Sequence, residues 1–369
     1  MTTTFPNAAD VVVIGGGIAG VSAASRLSER ADVLLVEAEA TLGYHATGRS
    51  AAVYTECTGS ETVRRLARRS LPEFLSIEFL TSPKPILFVA PEDEHPRIVD
   101  AYDEFRPLAT TIEMVGPGRA KEICEAIDTS AVSGGLYEPD AVELDVSLLE
   151  ATFRSRARDN GTTITTECRA VGAAPDSDGW VVETSAGEVR ARYVVNAAGA
   201  WGDEVAILAG VAPLGLAPLK RCVFVSDPKT DVSGWPMVYD LGHRWYFKPE
   251  GPNILGSASS EIPSPPVDAR TDELDIALGI ERINERTTLG IRSIKSSWAG
   301  LRTFTPDRTP AVGFDPAADG FFWLVGQGGY GIKTAPALAA MTADLILDGV
   351  RDDLADDLDP ARFRTDRGG

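Results

Sequence analysis

Residues 11–37, VVVIGGGIAGVSAASRLSERADVLLVE, decide the fold of this 369-residue chain. The opening β-branched run predicts a strand that is buried on both faces. Gly15, Gly17 and Gly20 follow at G-x-G-x-x-G spacing, and after a helical stretch a second strand ends at Glu37. In a βαβ unit such glycines give a tight turn, close approach to a pyrophosphate and close helix–strand packing, while the acid accepts ribose hydroxyls. The stretch therefore predicts a dinucleotide-binding fold, and Glu37 favours FAD or NAD over NADP.

The segment after the second strand bears on the choice between FAD and NAD. A nicotinamide dehydrogenase usually continues its parallel sheet here, whereas residues 43–54 read GYHATGRSAAVY. Arg49 and Ser50 could hold phosphate or ribose, and Ala51 and Ala52 would let the backbone lie against a flat ring. Taken alone, these residues favour the alternative of a surface loop in which Arg49 is solvated.

A second G-x-G-x-x-G run, GQGGYG at residues 326–331, follows the apolar stretch FFWLV. A second nucleotide domain would need another strand that ends in an acid about 20 residues further on. One helix, expected over residues 334–347, and an acidic tail come instead. The helix N-terminus near Lys333 and Thr334 offers free N–H groups and a positive dipole end, which suit the pyrimidine edge of a flavin. We therefore expect GQGGYG to be the far wall of the first site, with FAD as the cofactor.

Residues 165–201 predict a small meander of strands that closes on a buried strand. That strand, RYVVNAAG at residues 192–199, ends in Ala-Ala-Gly and leaves room for another close backbone approach. A core strand followed by a simple turn is the alternative, and these residues alone leave both open.

Composition restricts the classes of partner. The formal net charge is −19, which argues against binding to nucleic acid or to an anionic membrane. The four cysteines lack C-x-x-C spacing and the three histidines lie far apart, so we expect neither a metal site nor disulfides. No apolar stretch has the length of a membrane helix, and the N-terminus lacks the pattern of a signal peptide. A cytoplasmic protein is expected, in which an anionic substrate needs local Arg or Lys.

Residues 298–313, WAGLRTFTPDRTPAVG, resemble the G-x-R-x-x-T-P-D-x-x-P-x-x-G signature of the D-amino-acid oxidase family. With GGGIAG and VNAAGAW, the resemblance runs nearly end to end. Within that family, GYHATGRSAA, YFKPE and DGFFWLVGQGGYGIKTA resemble the bacterial D-arginine dehydrogenase branch.

The resemblance implies an α/β fold in which a GR2-type, Rossmann-like FAD-binding domain is interleaved with an antiparallel-sheet substrate domain. The FAD domain would comprise residues 1–78, 143–217 and 297–369, and the substrate domain residues 79–142 and 218–296. FAD would be bound noncovalently. Its contacts would be Gly15, Gly17, Ile18, Ala19, Gly20, Glu37, Ala38, Ala46, Thr47, Arg49, Ser50, Ala51, Ala52, Arg169, Ala198, Gly199, Trp201, Gly329, Gly331, Ile332, Lys333 and Thr334.

The resemblance also implies oxidative deamination of D-amino acids by hydride transfer from Cα to flavin N5. Arg302 would grip the substrate carboxylate bidentately, Tyr246 would donate its hydroxyl to it, and Arg221 would lie beside it. The structural alternatives are a surface cation for each arginine and a half-buried aromatic for Tyr246. The electron acceptor, a quinone, a dye or O2, is left open. The side-chain pocket would be formed by Val53, Thr58, Ile86, Gly329 and Tyr330.

One pocket position departs from the D-arginine dehydrogenase branch. That branch receives the guanidinium of its substrate on a glutamate, and the corresponding residue here is Ile86. A cation buried against an aliphatic wall would lack a counter-ion. Neutral, apolar D-amino acids are therefore expected over D-Arg or D-Lys.

Three other functions stay open. A glycine- or sarcosine-type amine oxidase would use the same clamp with a smaller pocket. An FAD-dependent 2-hydroxy-acid dehydrogenase would want a histidine base, for which His45 and His243 are the candidates. We favour a loop hydrogen bond for His45 and a strand-end polar role for His243. The third is a non-catalytic FAD-binding protein, which no residue in the sequence favours.

Overall fold

The computed structural model describes residues 5–364. In chain order, its strands are β1 (Ala8–Ile14), β2 (Val33–Val36), β3 (Val53–Tyr54), β4 (Thr81–Pro83), β5 (Ile86–Ala90), β6 (Glu113–Val115), β7 (Gly134–Glu138), β8 (Val142–Leu144), β9 (Thr163–Thr165), β10 (Ala170–Asp176), β11 (Gly179–Thr184), β12 (Gly187–Asn196), β13 (Ala217–Ser226), β14 (Met237–Asp240), β15 (Tyr246–Glu250), β16 (Asn253–Ser257), β17 (Ile262–Pro263), β18 (Ser296–Phe304), β19 (Ala311–Phe314), β20 (Phe321–Val325) and β21 (Gln327–Gly328).

The α-helices lie between groups of these strands along the chain. They are α1 (Ile18–Leu27), α2 (Glu61–Ser76), α3 (Pro96–Phe105), α4 (Pro117–Ile123), α5 (Val146–Asp159), α6 (Gly202–Leu208), α7 (Glu273–Arg286), α8 (Gly331–Ala343) and α9 (Ala355–Leu358). None of the helices in residues 5–364 combines the length and the apolar character needed to cross a membrane.

The first sheet contains the predicted βαβ unit. Its order is β10-β11-β12-β1-β2-β9, with β20 beside β12 and β19 beside β20. β1 is parallel to β2 and to β12, and β10, β11 and β12 form the predicted antiparallel meander. The third parallel strand next to β2 is β9, which comes from a segment far along the chain. The polar segment after Glu37 therefore leaves the sheet instead of extending it, as predicted.

Two apolar layers cover the first sheet. One packs α1, α5 and α8 against β1 and β2, and the other contains Trp180, Phe321 and Trp323. Because both faces are covered, β1 and β2 are fully apolar where they pair, which fits a parallel sheet buried on both sides. This packing fixes the β1–α1 turn that opens the first site.

The second sheet carries the predicted substrate residues. Its order is β21-β18-β13-β16-β15-β14-β5-β7-β6, with β17 beside β13. All its pairings are antiparallel except that between β14 and β5. Ile86 lies on β5, Arg221 on β13, Tyr246 on β15 and Arg302 on β18. Four residues that are far apart in sequence are thus placed on one sheet.

The fold class predicted from the sequence is confirmed, while the domain division stays a proposal. The predicted start of the last FAD segment, residue 297, falls inside β18, whose hydrogen bonds belong to the second sheet. The predicted outer limits at residues 1–4 and 365–369 lie outside the described residues. A third, three-stranded sheet, β3-β8-β4, contains Val53 at its edge.

The GQGGYG segment turns the chain from the first sheet into the second and then into α8. Gly326 and Gly328 have positive φ angles of 78° and 56°, a region that glycine adopts at little cost. Gly328 pairs with Thr303 of β18, and α8 begins at Gly331, three residues earlier than expected. No strand follows α8 up to residue 364. GQGGYG is therefore not the start of a second βαβ unit.

Replacing Phe153 by Ala should lower the free energy of unfolding by about 3–5 kcal/mol, because it removes a large ring from a closely packed core. Phe153, on α5, is 1% exposed and lies in the layer beneath α1. The same substitution at Phe79, which is 84% exposed, should change it by no more than about 0.5 kcal/mol. Urea unfolding of both variants compares the two. Equal losses would contradict the assigned packing.

Candidate active site

The three glycines of the first fingerprint have different surroundings. A Cβ on Gly15, whose φ is +111°, would lie 2.5 Å from the carbonyl oxygen of Ala197, and one on Gly20 would lie 1.9 Å from the oxygen of Gly15. A Cβ on Gly17 would meet nothing closer than Oγ1 of Thr47 at 3.6 Å. The first and third glycines are therefore required by the packing of the protein itself. The second leaves its space for a ligand.

Glu37 closes the nucleotide end of the site. One of its carboxylate oxygens accepts a hydrogen bond from the amide of Gly16 at 2.6 Å, and the other accepts one from the amide of Glu39 at 2.8 Å. These bonds hold the carboxylate in a cavity of about 230 Å³ at the N-terminus of α1. The predicted cofactor residues that line it are Gly15, Gly17, Ile18, Ala19, Glu37, Ala38, Ala46, Thr47, Arg169, Ala198, Gly199, Trp201 and Gly331.

A second cavity, of about 850 Å³, adjoins the first. Ile18, Thr47, Leu301 and Gly331 line both, so the two cavities share part of their walls. All three predicted catalytic residues and all five predicted pocket residues line the second cavity: Arg221, Tyr246, Arg302, Val53, Thr58, Ile86, Gly329 and Tyr330. The cofactor candidates Arg49, Ser50, Ala51, Ala52, Ile332 and Lys333 also lie in its wall.

Arg302 is the central cation of the second cavity. Its side chain is 21% exposed and forms no hydrogen bond within residues 5–364. A Cβ on Gly329 would overlap the guanidinium, at 1.4 Å from Nη2, so this close contact requires glycine. Burial, and then the charge of Arg221, lower the pKa of Arg302. The carboxylate of Glu261 comes no nearer than 4.0 Å. Within residues 5–364 the guanidinium therefore has no hydrogen-bonded anionic partner, and the cavity has room for a ligand that supplies one.

Tyr246 and Arg221 flank Arg302. Burial raises the pKa of the Tyr246 hydroxyl, which stays protonated and able to donate at neutral pH. The ring of Tyr246 stacks on that of Tyr239 at 5.6 Å. Arg221 donates to the carbonyl oxygens of Ser259 at 2.6 Å and Ser260 at 3.2 Å. Its guanidinium is thus partly used by the protein, and it contributes charge beside the clamp.

Two cofactor candidates, Arg49 and Thr334, differ from their predicted roles. Arg49 lies at the cavity wall, but its guanidinium binds the carbonyl oxygens of Ala269 and Ala299 and the carboxylate of Asp268, which ties its loop to β18. Thr334 lies inside α8 with its hydroxyl bonded to the carbonyl of Tyr330. Gly20 lines neither cavity, and its close approach to the carbonyl of Gly15 is the helix–strand packing expected of the third glycine. For Arg49, neither the predicted phosphate contact nor the solvated alternative fits these bonds.

The side chain of Lys333 is bonded to the protein itself. Its ammonium donates to the carbonyl oxygens of Thr55 at 2.9 Å and Thr58 at 2.8 Å, and to Oγ1 of Thr58 at 2.9 Å. Burial lowers its pKa to about 7. The side chain therefore fastens the pocket segment 55–58 to the first turn of α8. Only its backbone amide stays at the helix N-terminus.

The two candidate histidines lie in different places. Nε2 of His45 contacts Oε1 of Glu39 at 2.9 Å, and its ring packs on Trp201 in the nucleotide cavity. His45 is therefore a loop residue at the cofactor end. His243 lines the second cavity, packs edge-on against Tyr239, and has its pKa lowered by burial. We expected a strand-end polar role for His243, and this expectation did not include its position in the cavity wall.

Several cavity residues were not predicted from the sequence. Phe88, Val223 and Met237 form an apolar wall with Ile86, because β14 pairs with β5 in a register that joins Met237 to Ile86. Tyr239, Ser259, Glu261 and Arg308 also line the cavity. A period-two pattern along β5 and β14 signals one buried face, but the sequence does not show which face meets the cofactor.

The amino-acid sequence matches a known protein family over most of its length. Residues 10–345 match the family described as FAD dependent oxidoreductase (DAO). The chain belongs to this family. The narrower resemblance to D-arginine dehydrogenase stays a prediction.

Individual members of the DAO family agree with this assignment. The glycine oxidase of Geobacillus kaustophilus is 25% identical over 91% of this chain and 92% of its own. Human mitochondrial dimethylglycine dehydrogenase is 26% identical over 98% of this chain, which spans 45% of that protein. The crystal structure of L-proline dehydrogenase from P. horikoshii superposes with a TM-score of 0.88 at 24% identity, covering 98% of this chain and 99% of that one. The last similarity supports the fold.

FAD is the cofactor of this DAO-family chain, and the residues present fit it. Gly17 leaves open space at the N-terminus of α1, where backbone amides and the helix dipole favour a pyrophosphate. Glu37 lies in the same cavity. The first turn of α8, at Gly331 and Ile332, reaches the second cavity with amides that have no intrahelical acceptor. These features would hold the two ends of the dinucleotide.

Replacing Gly17 by Ala should weaken FAD binding at least about tenfold while leaving the stability of the cofactor-free protein nearly unchanged, because the new methyl group occupies ligand space. Replacing Gly20 by Ala should instead destabilise the cofactor-free protein by about 1–3 kcal/mol through overpacking. Fluorescence titration with FAD and thermal melts of the apoproteins separate the two effects. A Gly17→Ala variant with normal FAD affinity would place the pyrophosphate elsewhere.

Proposed function

We propose that the protein catalyses the FAD-dependent oxidative deamination of D-amino acids with neutral, apolar side chains to 2-oxo acids and ammonia. The observation that carries the proposal is the buried guanidinium of Arg302, which lines a cavity adjoining the nucleotide site and has no hydrogen-bond acceptor within residues 5–364. An amino-acid carboxylate supplies the missing partner. We also propose that FAD is held noncovalently, since no cysteine in residues 5–364 lines the cavity around Arg302.

The substrate carboxylate would be held from two sides. Arg302 offers two parallel N–H groups, whose geometry matches the two oxygens of a carboxylate. Tyr246, protonated because of its burial, donates a third hydrogen bond. Arg221 adds positive charge without giving up its bonds to Ser259 and Ser260. These contacts fix the Cα–H bond in one direction.

Bound FAD supplies the hydride acceptor for the Cα–H bond. The cavity contains two acidic side chains, and both are already paired: Asp307 with Arg362 and Glu261 with Arg308. Neither is placed as a free base. The amine would therefore lose its proton to solvent before or during binding, and water would then hydrolyse the imine product to the 2-oxo acid and ammonia.

The apolar wall supports neutral side chains. Ile86, Phe88, Val223 and Met237 line the cavity, and each is almost completely buried. A guanidinium or ammonium group placed against them would be desolvated without a counter-ion. Leu-, Met- and Phe-like side chains gain from the same burial. The choice of the D enantiomer rests on the resemblance of residues 298–313 to the D-amino-acid oxidase signature.

Two alternatives have observations of their own. The similarity to glycine oxidase over nearly the whole chain favours a glycine- or sarcosine-type amine oxidase. His243, at the cavity wall with a lowered pKa, is available as the base that a 2-hydroxy-acid dehydrogenase needs. Both share the carboxylate clamp and differ in what is oxidised.

A substrate panel tests the proposal. Anaerobic bleaching of the bound flavin should be fastest with D-Leu, D-Met or D-Phe and at least about tenfold slower with D-Arg and with the L enantiomers, because the wall gives a cation no partner. Faster bleaching by D-Arg would overturn the assigned side-chain preference. Glycine or sarcosine as the best reductant would favour the first alternative, and a 2-hydroxy acid the second. A flavin that none of them bleaches would leave only a cofactor-binding role.

Replacing Arg302 by Met should lower kcat/KM by an amount that corresponds to a loss of about 3–5 kcal/mol in transition-state binding free energy, because the carboxylate loses its charged, bidentate partner. Arg302→Lys should recover only part of this, since an ammonium cannot form two parallel bonds. Arg119→Met is the control, because Arg119 is exposed and its only ion pair among residues 5–364 is with Glu122. Steady-state kinetics with the best substrate of the panel measures all three. Near-normal kcat/KM in Arg302→Met would refute the clamp.

A further inference from the structure

One carboxylate lies among three guanidinium groups at the edge of the substrate cavity. Oε1 of Glu261 is 2.7 Å from Nη2 of Arg308, 3.8 Å from Nη2 of Arg221 and 4.0 Å from Nη1 of Arg302. All four side chains line the cavity. Because the same oxygen approaches all three cations, Glu261 competes with any bound carboxylate for their positive charge.

The backbone around this cluster is strained. Ser259 and Arg308 are non-glycine residues with φ angles of +53° and +64°, a region that is unfavourable for residues with a side chain. Arg221 holds the first strained segment by its bonds to the carbonyls of Ser259 and Ser260. The guanidinium of Arg308 lies 3.8 Å above the ring of Phe304. The position of Glu261 is therefore fixed from both sides, unlike that of a freely moving surface side chain.

The charges of the cluster balance for a single carboxylate. The side chains of Arg302 and Arg221 are mostly buried, whereas that of Arg308 is half exposed and screened by solvent. The two buried cations carry two positive charges. Glu261, which the solvent-screened Arg308 shares with them, supplies one negative charge, and a substrate carboxylate supplies the other. A ligand with a second carboxylate would bring a negative charge that no buried cation matches.

The opposite wall of the cavity is apolar and would not stabilise such a charge. Ile86, Phe88, Val223 and Met237 are apolar. The other two cations in the cavity wall, Arg49 and Lys333, are already bonded to oxygen atoms of the protein. A second carboxylate would therefore find positive charge at the arginine cluster. Glu261 already lies there. Repulsion between like charges in a partly desolvated site is a means of rejecting a competing ligand.

We propose that Glu261 is a specificity-determining residue, which supplies the second negative charge required by the buried Arg302–Arg221 pair and thereby excludes ligands that carry two carboxylates. The inference rests on the proposed function for the identity of the bound carboxylate. It is tested by binding, which needs no turnover. Acidic amino acids such as D-Glu are the substrates it excludes.

The experiment compares pyruvate with 2-oxoglutarate, which differ in charge by one carboxylate, by calorimetric titration of the FAD-loaded protein. In the wild type, pyruvate should bind more tightly than 2-oxoglutarate. In Glu261→Gln, which keeps the shape but removes the charge, the ratio of the 2-oxoglutarate Kd to the pyruvate Kd should fall at least about tenfold. Glu261→Asp, which keeps the charge, should stay nearer to the wild-type ratio. An unchanged ratio in Glu261→Gln would refute the proposal.

Two further variants change the charge at other positions. Glu122→Gln removes a negative charge from an exposed i,i+3 pair with Arg119, and its ratio should stay within about twofold of the wild type. Arg308→Gln leaves Glu261 without its nearest cation, so its ratio should rise about threefold or more. Should Glu261→Gln fail to fold or to hold FAD, Arg308→Gln decides, and an unchanged or lowered ratio there rejects the proposal.

Amino-acid turnover separates this inference from the proposed function. If D-Leu bleaches the flavin and Glu261→Gln leaves the binding ratio unchanged, the specificity role alone is wrong. If no amino acid bleaches it but the ratio shifts as expected, the proposed function fails while Glu261 keeps its role in anion selection. Binding of neither 2-oxo acid to the wild type would reject the carboxylate site on which this role depends.

Discussion

The burial of the Arg302 guanidinium sets the conditions for the whole substrate cavity. The group is packed against the backbone of Gly329, where no side chain would fit, and a second cation, Arg221, lies beside it. Removing a cation from water is expensive unless an anion replaces the lost hydration. Within residues 5–364 the only carboxylate within 4.0 Å of this guanidinium is that of Glu261, and the proposed ligand carboxylate would supply the remaining negative charge. A carboxylate that binds here both neutralises the cluster and is fixed in direction by it.

The arginine cluster could take part in catalysis because the cofactor site lies next to it. The strand that carries Arg302 begins in the second sheet, and its neighbour β21 leads directly into α8, whose first turn borders both cavities. Arg49 fastens the loop after the first βαβ unit to the same strand through the carbonyl of Ala299. The elements around the nucleotide cavity and those around the proposed carboxylate site are therefore joined by direct hydrogen bonds. Lys333 extends this connection to the pocket segment 55–58.

The sequence predicted the features that depend on local geometry. The spacing of Gly15, Gly17 and Gly20 required a tight turn and close packing, and the structure has both. The absence of a strand between GQGGYG and residue 364 identified that run as a wall instead of a second nucleotide site. The motif resemblance located Arg302, Tyr246 and Arg221, which the structure brings into one cavity. The direction of the Lys333 side chain and the partners of Arg49 were missed, because both depend on carbonyl groups supplied by distant segments.

The sequence by itself determined the βαβ unit, the FAD-type fingerprint and the family signature, because each depends on the spacing of residues that are close together along the chain. Only the tertiary structure decided how charge is distributed around the carboxylate site. Glu261 meets Arg221, Arg302 and Arg308 because β13 pairs with both β17 and β18. Such pairings between distant segments leave no periodic trace in either segment, and the free energy of an ion depends on which other ions and how much water surround it.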